Sequence, residues 1–226
     1  MNSQSLMVID PALEIPEIES YNGIAVRSPV NTSYHLPAIH SSKTMENQIE
    51  NACGVILMGS AASVHDSLDW INDTKTIIQK AVDKKIPILG ICFGHQFLGH
   101  FFGGTVDYLW NKVKKRGVRK VQILKNNLLD NDQEGDLIYS HQEGVTSCPP
   151  GFDVSARSNM VEIEAIVHKS LPIWGFQPHI EASKTFTTRI GINGDDFKKA
   201  KPFSVLLLEA FLKKIKTRLF NEISNN

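Results

Sequence analysis

Cys92 lies in the segment Pro87-Ile-Leu-Gly-Ile-Cys-Phe-Gly-His-Gln96, where an apolar run stops at a thiol and a mixed, helix-patterned stretch begins. A strand, a one-residue hinge and a helix present a nucleophile on a strained bend. Gly90 and Gly94, two residues to either side, have the Gly-x-nucleophile-x-Gly spacing that lets strand and helix approach closely. A thiol at a helix N-terminus also feels the positive end of the helix dipole, which favours thiolate, the reactive form. Such a nucleophile needs a base, and the base needs an orienting group. Of the eight histidines, His179 is the candidate, because Glu181 follows two residues later. In extended chain the two project to the same side, so the carboxylate can fix the imidazole tautomer and stabilise its cation.

The remaining chemistry-bearing residues read more plainly. His95 and His100 lack the i, i+4 spacing of a helical metal pair, so neither a metal site nor a cofactor is expected. Cys53 and Cys148 read as buried structural residues, and three cysteines without regular spacing make no disulfide framework. The run Lys112-Val-Lys-Lys-Arg-Gly-Val-Arg-Lys120 has two readings. One is a solvated strand edge where lysines discourage pairing; the other is a docking surface for a partner or an anionic substrate.

The elements that must position these residues follow from periodicity. Strands are expected at Leu6–Ile9, at Tyr34–His40 (an edge strand, given Pro37), at Gly54–Met58 and at Ile86–Ile91. Helices are expected after Pro16 to near Gly23, over Leu68–Lys84, over His95–Phe102, and over Phe203–Leu219 after Pro202. The second half alternates at Val118–Leu124, Asp153–Ala156 and Val161–Val167, which predicts antiparallel strands, with further core strands at Asp136–Tyr139 and Ile173–Phe176. The fold class expected is α/β: a flavodoxin-like three-layer sandwich with a mostly parallel central sheet, helices on both faces and a small antiparallel sheet. No repeat or linker breaks the chain, so residues 1–226 are expected to form a single domain.

Composition narrows the functional classes. The 24 basic and 24 acidic side chains cancel, which argues against nucleic acid or an anionic membrane as a partner. No stretch approaches the roughly 18 apolar residues that span a bilayer. The start, Met1-Asn-Ser-Gln-Ser5, has neither the basic flank nor the apolar core of a secretory leader, so a cytoplasmic protein is expected.

Four of these segments together resemble the class I glutamine amidotransferases. Gly90-Ile-Cys92-Phe-Gly-His-Gln96 is similar to the family's nucleophile motif, and Gln177-Pro-His179-Ile-Glu181 to its Gln-x-His-Pro-Glu motif. Val55–Val64 resembles the Gly-Gly-Pro loop before the nucleophile strand, with Ser60 and Ala61 where the family commonly has Gly and Pro. Tyr139-Ser-His141 resembles the substrate-contacting strand end. The likeness covers about residues 50 to 215 and, among branches, is nearest the amidotransferase domain of GMP synthase.

The resemblance implies a glutamine hydrolase working through a γ-glutamyl thioester on Cys92, with His179 and Glu181 completing the catalytic set. It implies an oxyanion turn at Gly59 and Ser60 with the Phe93 N–H, and substrate contacts at Gln96, His141 and Gln142. It also implies a separate ATP-dependent synthase subunit that takes the ammonia, because the chain has no nucleotide loop of its own. Two alternatives stay open at this point: a stand-alone γ-glutamyl hydrolase or peptidase acting on another γ-glutamyl amide, and a non-catalytic regulatory binding protein.

Overall fold

The computed structural model describes residues 4–124, 128–129 and 131–224, the last four through their backbone alone. β1 (Ser5–Ile9), β2 (Asn31–His35), β3 (Ala52–Leu57), β4 (Ile88–Ile91) and, later in the chain, β11 (Ile173–Phe176) run parallel in the order β2-β1-β3-β4-β11. The sheet continues antiparallel through β10 (Ala165–His168), β9 (Phe152–Arg157), β6 (Lys115–Ile123) and β7 (Gln133–His141). A separate two-stranded antiparallel sheet joins β5 (Thr105–Tyr108) to β8 (Glu143–Ser147). The helices are α1 (Ile18–Ala25), α2 (Lys43–Gln48), α3 (Asp69–Asp83), α4 (Phe93–Phe101), α5 (Lys184–Arg189) and α6 (Gly194–Ser224).

The parallel strands are apolar at every position because both sheet faces are covered. Leu6, Val8, Ile56, Leu89 and Trp174 point to the side held by α1 and α6, where Leu207, Phe211 and Ile215 meet them. Met7, Ile9, Val55, Leu57 and Ile88 point to the other side, against α3 (Ile71, Ile77, Ile78) and α4 (Phe93, Phe97, Leu98). Each such buried side chain contributes about 1.5–3 kcal/mol relative to exposure. The result is the three-layer α/β sandwich, and the carboxyl ends of β1, β3, β4 and β11 converge on one rim.

Several boundaries differ from the periodicity reading. β2 covers Asn31–His35 and lies at the sheet edge as expected, but the chain leaves the sheet before Pro37. The stretch expected as a strand from Val161 is paired only from Ala165. The antiparallel strands of the second half extend the central sheet, and the small sheet consists instead of β5 and β8, whose short, mixed sequences carry little strand signal. α6 starts at Gly194, eight residues before Pro202. An interior Pro costs about 3 kcal/mol. Here Asn193 Oδ1 caps the helix, accepting from the N–H groups of Asp195 (3.0 Å) and Asp196 (2.9 Å), and Ala200 is fully buried. The basic run is no solvated edge either: β6 is flanked by β9 and β7, and the Arg119 side chain is buried. Among the described residues no helix is long and apolar enough to cross a membrane.

Candidate active site

β4 ends at Ile91 and α4 begins at Phe93, so Cys92 alone makes the turn. Its backbone sits at φ 53°, ψ −103°, outside both helical basins. Holding a residue with a side chain there costs about 1–3 kcal/mol, which the surrounding structure must supply. The Cys92 N–H donates to the Phe176 carbonyl of β11 (2.8 Å), and the Gln96 N–H donates to the Cys92 carbonyl (3.0 Å), closing the first helical turn. The flanking glycines are sterically required. A Cβ on Gly90 would lie 2.4 Å from the Gly94 carbonyl oxygen, and one on Gly94 only 2.0 Å from that of Leu57.

His179 arrives on the loop after β11, and its N–H donates to the Ile138 carbonyl of β7 (2.8 Å). Ring Nδ1 donates to Glu181 Oε1 at 2.9 Å, and the ring packs on Phe186 of α5 with centroids 4.6 Å apart. α5 is itself started by Ser183, whose hydroxyl accepts from the Phe186 N–H (3.1 Å). With Nδ1 engaged, Nε2 remains for Cys92, to whose side chain the ring is hydrogen-bonded. Burial disfavours the protonated ring, but the ionised Cys92 sulfur and the Glu181 carboxylate more than offset it and push the pKa up to about 10. Gly59 leaves room for this ring, since a Cβ there would lie 2.8 Å from His179 Cε1.

A cavity of about 180 Å³ opens over Cys92, lined among others by Ser60, Asp66, Gln96, Lys114 and Gln142. A second, of about 360 Å³, lies on the side of His179 and Glu181, walled by Leu13, Ile15, Phe186 and Ile190. Ser60, Ala61, Lys114 and Ser140 line both. The Ser60 hydroxyl donates to the Pro11 carbonyl (2.7 Å) and accepts from the Ala62 N–H (3.1 Å), which pins the Gly59-Ser60 turn to the loop after β1. Phe93 turns its ring away, packed on Trp70 and Phe97, so only its backbone borders Cys92. Gln96 Nε2 donates to the Glu143 carbonyl (2.8 Å). His141 has both ring nitrogens occupied by protein partners, Arg119 and the Glu143 carbonyl. The Gln142 carbonyl accepts from the Leu109 N–H (2.7 Å).

Four buried residues here have no role that sequence reasoning assigns. Gln177 stands within the histidine motif, and its side chain lies 3.7 Å from the Cys92 sulfur. Arg119 and Glu164 form a buried ion pair at 2.6 Å across 45 residues of chain, a separation no motif spans. Asp10, at the end of β1, accepts from the backbone N–H groups of Ala12 (3.1 Å) and Glu17 (2.7 Å) and from the Tyr34 hydroxyl.

Burial pushes the Asp10 carboxyl up from 3.8 to about 6, against the Tyr34 and Ala12 hydrogen bonds that pull it down. A carboxyl raised in this way adds stability fully below pH 3.8 and loses it as pH rises through 6. Asp10→Asn has no such titration. Between pH 4 and pH 7 its stability should therefore rise relative to the parent by up to about 3 kcal/mol. Urea unfolding of both proteins at the two pH values checks this; an unchanged difference between them refutes it.

Fold and rim chemistry together define an α/β protein of the amidotransferase kind. Residues 18–191 match the family model for glutamine amidotransferase class-I, and the chain belongs to that family. The amidotransferase-type subunit of the glutamine-hydrolysing GMP synthase of Methanocaldococcus jannaschii is 32% identical over 167 residues, covering 73% of this chain and 79% of that protein. Its counterpart in Methanopyrus kandleri is 34% identical over 143 residues, covering 62% and 72%. In three dimensions the chain superimposes on a glutamine amidotransferase from Methylobacillus flagellatus with a TM-score of 0.74 at 18% identity, covering 95% and 94% of the two chains.

Proposed function

We propose that this chain, as one amidotransferase unit spanning residues 1–226, hydrolyses the side-chain amide of glutamine in the cytoplasm and hands the ammonia to a separate ATP-dependent synthase subunit. The observation that carries the reading is the strained Cys92 turn, hydrogen-bonded to a His179 that Glu181 orients, beneath a cavity of about 180 Å³. The relatives named as subunits of glutamine-hydrolysing GMP synthase support a GMP-synthase-like partner.

In this reading the Cys92 sulfur attacks the amide carbon of glutamine, with its proton already held on His179. The carbonyl electrons move onto oxygen, facing the N–H groups of Phe93 and of the Gly59-Ser60 turn; one such donor is worth about 3 kcal/mol of barrier. His179 gives its proton to the amide nitrogen, the C–N bond breaks and ammonia leaves. Water then loses a proton to His179, attacks the thioester carbon and releases glutamate, and the sulfur departs as thiolate. Gln96 and the backbone at His141 and Gln142 hold the α-amino and carboxylate ends.

One feature favours a second reading. The cavity of about 360 Å³ on the His179 side, where the leaving amine receives its proton, is far larger than ammonia needs. A stand-alone γ-glutamyl hydrolase would use it for the amine substituent. Ammonia release from glutamine, with and without a GMP-synthase-type ATP-dependent subunit, and cleavage of γ-glutamyl dipeptides by the chain alone separate the two. Glutamine turnover stimulated by the synthase, with no dipeptide cleavage, is the expected result. Dipeptide turnover without a partner overturns it, as does no turnover combined with a Cys92 inert to a glutamine-like chloroketone.

A further inference from the structure

A chain of hydrogen bonds runs from a buried ion pair to the sulfur of Cys92. Arg119 is fastened to Glu164 by two contacts, Nε to Oε1 at 2.6 Å and Nη2 to Oε2 at 2.9 Å, and the two side chains are only 3% and 0% exposed. Ser158 Oγ also donates to Glu164 Oε1 (2.6 Å), and the guanidinium lies 4.1 Å from the Tyr139 ring centroid. The same Nη2 is 2.7 Å from His141 Nε2. His141 Nδ1 is 2.7 Å from the Glu143 carbonyl, which also receives Gln96 Nε2 at 2.8 Å. Gln96 Nε2 is 3.2 Å from Gln177 Oε1, and Gln177 Nε2 is 3.7 Å from Cys92 Sγ.

Direction propagates along this chain. A guanidinium has donors and no acceptor, so His141 Nε2 must accept and Nδ1 must carry the hydrogen. That hydrogen holds the Glu143 carbonyl in place. A carbonyl only accepts, so Gln96 must turn its NH₂ group toward it, leaving Oε1 for the cavity. The same NH₂ group faces Gln177 Oε1, which turns the Gln177 NH₂ group toward the sulfur. Glu164 enters twice, because its backbone carbonyl accepts the Gln177 N–H at 2.7 Å. Burial and the adjacent Arg119 charge hold the His141 pKa down to about 3, so its ring is neutral and a fixed tautomer is meaningful.

We infer that the buried Arg119–Glu164 pair is a positioning device for the candidate nucleophile: by locking His141 as the Nδ1–H tautomer it orders Gln96 and Gln177, so that the Cys92 sulfur meets an N–H donor rather than a carbonyl. The inference rests on the reading of Cys92 as nucleophile and deepens it. Replacing one member of the pair leaves a buried charge alone and destabilises the fold, whereas replacing both with apolar residues of similar volume is often tolerated. Arg119→Met/Glu164→Met is therefore the informative variant. Arg119→Lys, which keeps the charge pair but has no fork to bridge Glu164 and His141, serves the same comparison if the double variant does not fold. His141→Asn supplies an amide donor where Nδ1–H stood and has no tautomer to lose.

Three readouts apply to folded protein. Nitrogen-15 spectra should show His141 as Nδ1–H in the parent and as mixed tautomers once Arg119 is changed. Alkylation of Cys92 by iodoacetamide near neutral pH should slow by about tenfold, the scale of one hydrogen bond to a charged group. kcat for glutamine should fall with it while KM moves little. In the His141→Asn background, the Arg119 substitutions should change alkylation less than about twofold, because the effect travels through His141. Equal slowing in both backgrounds overturns the inference, as does an unchanged His141 tautomer with unchanged alkylation. Alkylation and spectra need no glutamine turnover, so failure of the glutaminase reading would be seen separately.

Discussion

Cys92→Ala is expected to lower glutamine hydrolysis by at least about 10⁴-fold while leaving the fold intact, because residues of a nucleophile–base pair act as one unit and the rest of the site cannot replace the sulfur. The thiol is 4% exposed and small, so its loss removes little packing. The accompanying stability change makes the test sharper. At φ 53°, ψ −103° the Cβ of Ala is as strained as that of Cys, whereas Gly at position 92 is not. Cys92→Gly should thus be equally inactive but more stable than Cys92→Ala by about 1 kcal/mol, after allowing for the extra chain entropy of Gly. Ammonia release and urea unfolding of the two variants decide it. Residual turnover above about 1% of the parent would mean that another group is the nucleophile. A glycine variant less stable than the alanine variant would remove the argument that the turn stores strain.

Gly94→Ala carries the largest expected cost in stability. Its Cβ would lie 2.0 Å from the Leu57 carbonyl oxygen and 2.9 Å from the Leu57 carbonyl carbon, both backbone atoms in the middle of the parallel sheet. No rotamer change relieves a clash with backbone. Either α4 lifts off β3, taking Cys92 with it, or the domain does not fold, and a loss of more than about 4 kcal/mol is expected. Gly23→Ala is the control, since nothing lies within 4 Å of a Cβ there and the residue sits inside α1. That change should raise stability by up to about 1 kcal/mol through helix propensity and a stiffer unfolded chain. Similar melting temperatures for the two variants would refute the close-approach account of α4.

How much of this is legible in the sequence depends on distance along the chain. The strand–turn–helix at Cys92 is readable because its causes are local: an apolar run, a thiol and glycines two positions away. The β11 strand and the His179–Glu181 spacing are readable for the same reason, and Nδ1 does lie 2.9 Å from Oε1. The start of α6 is hidden because Pro202 outweighs the Asn193 cap in a local reading, whereas Phe197 and Ala200 repay the interior Pro through burial against Ile138 and Ile192. β5 and β8 escape because each is four or five residues long with few apolar positions, and only their mutual pairing makes them strands.

By itself the sequence determined which residues sit on the parallel strands, where the thiol turns and which carboxylate follows the histidine. Each of these is set by neighbours within a few residues, through apolar period, glycine freedom and alternation. Tertiary structure alone decided that Arg119 leaves a basic surface run to bury itself against Glu164. It also decided that His141 turns inward to Arg119 and the Glu143 carbonyl, and that Gln177 reaches the sulfur. The reason is dielectric as well as geometric. A charge or amide buried among partners 22 to 85 residues away must satisfy every donor and acceptor there, and which groups meet is settled only when the sheet closes.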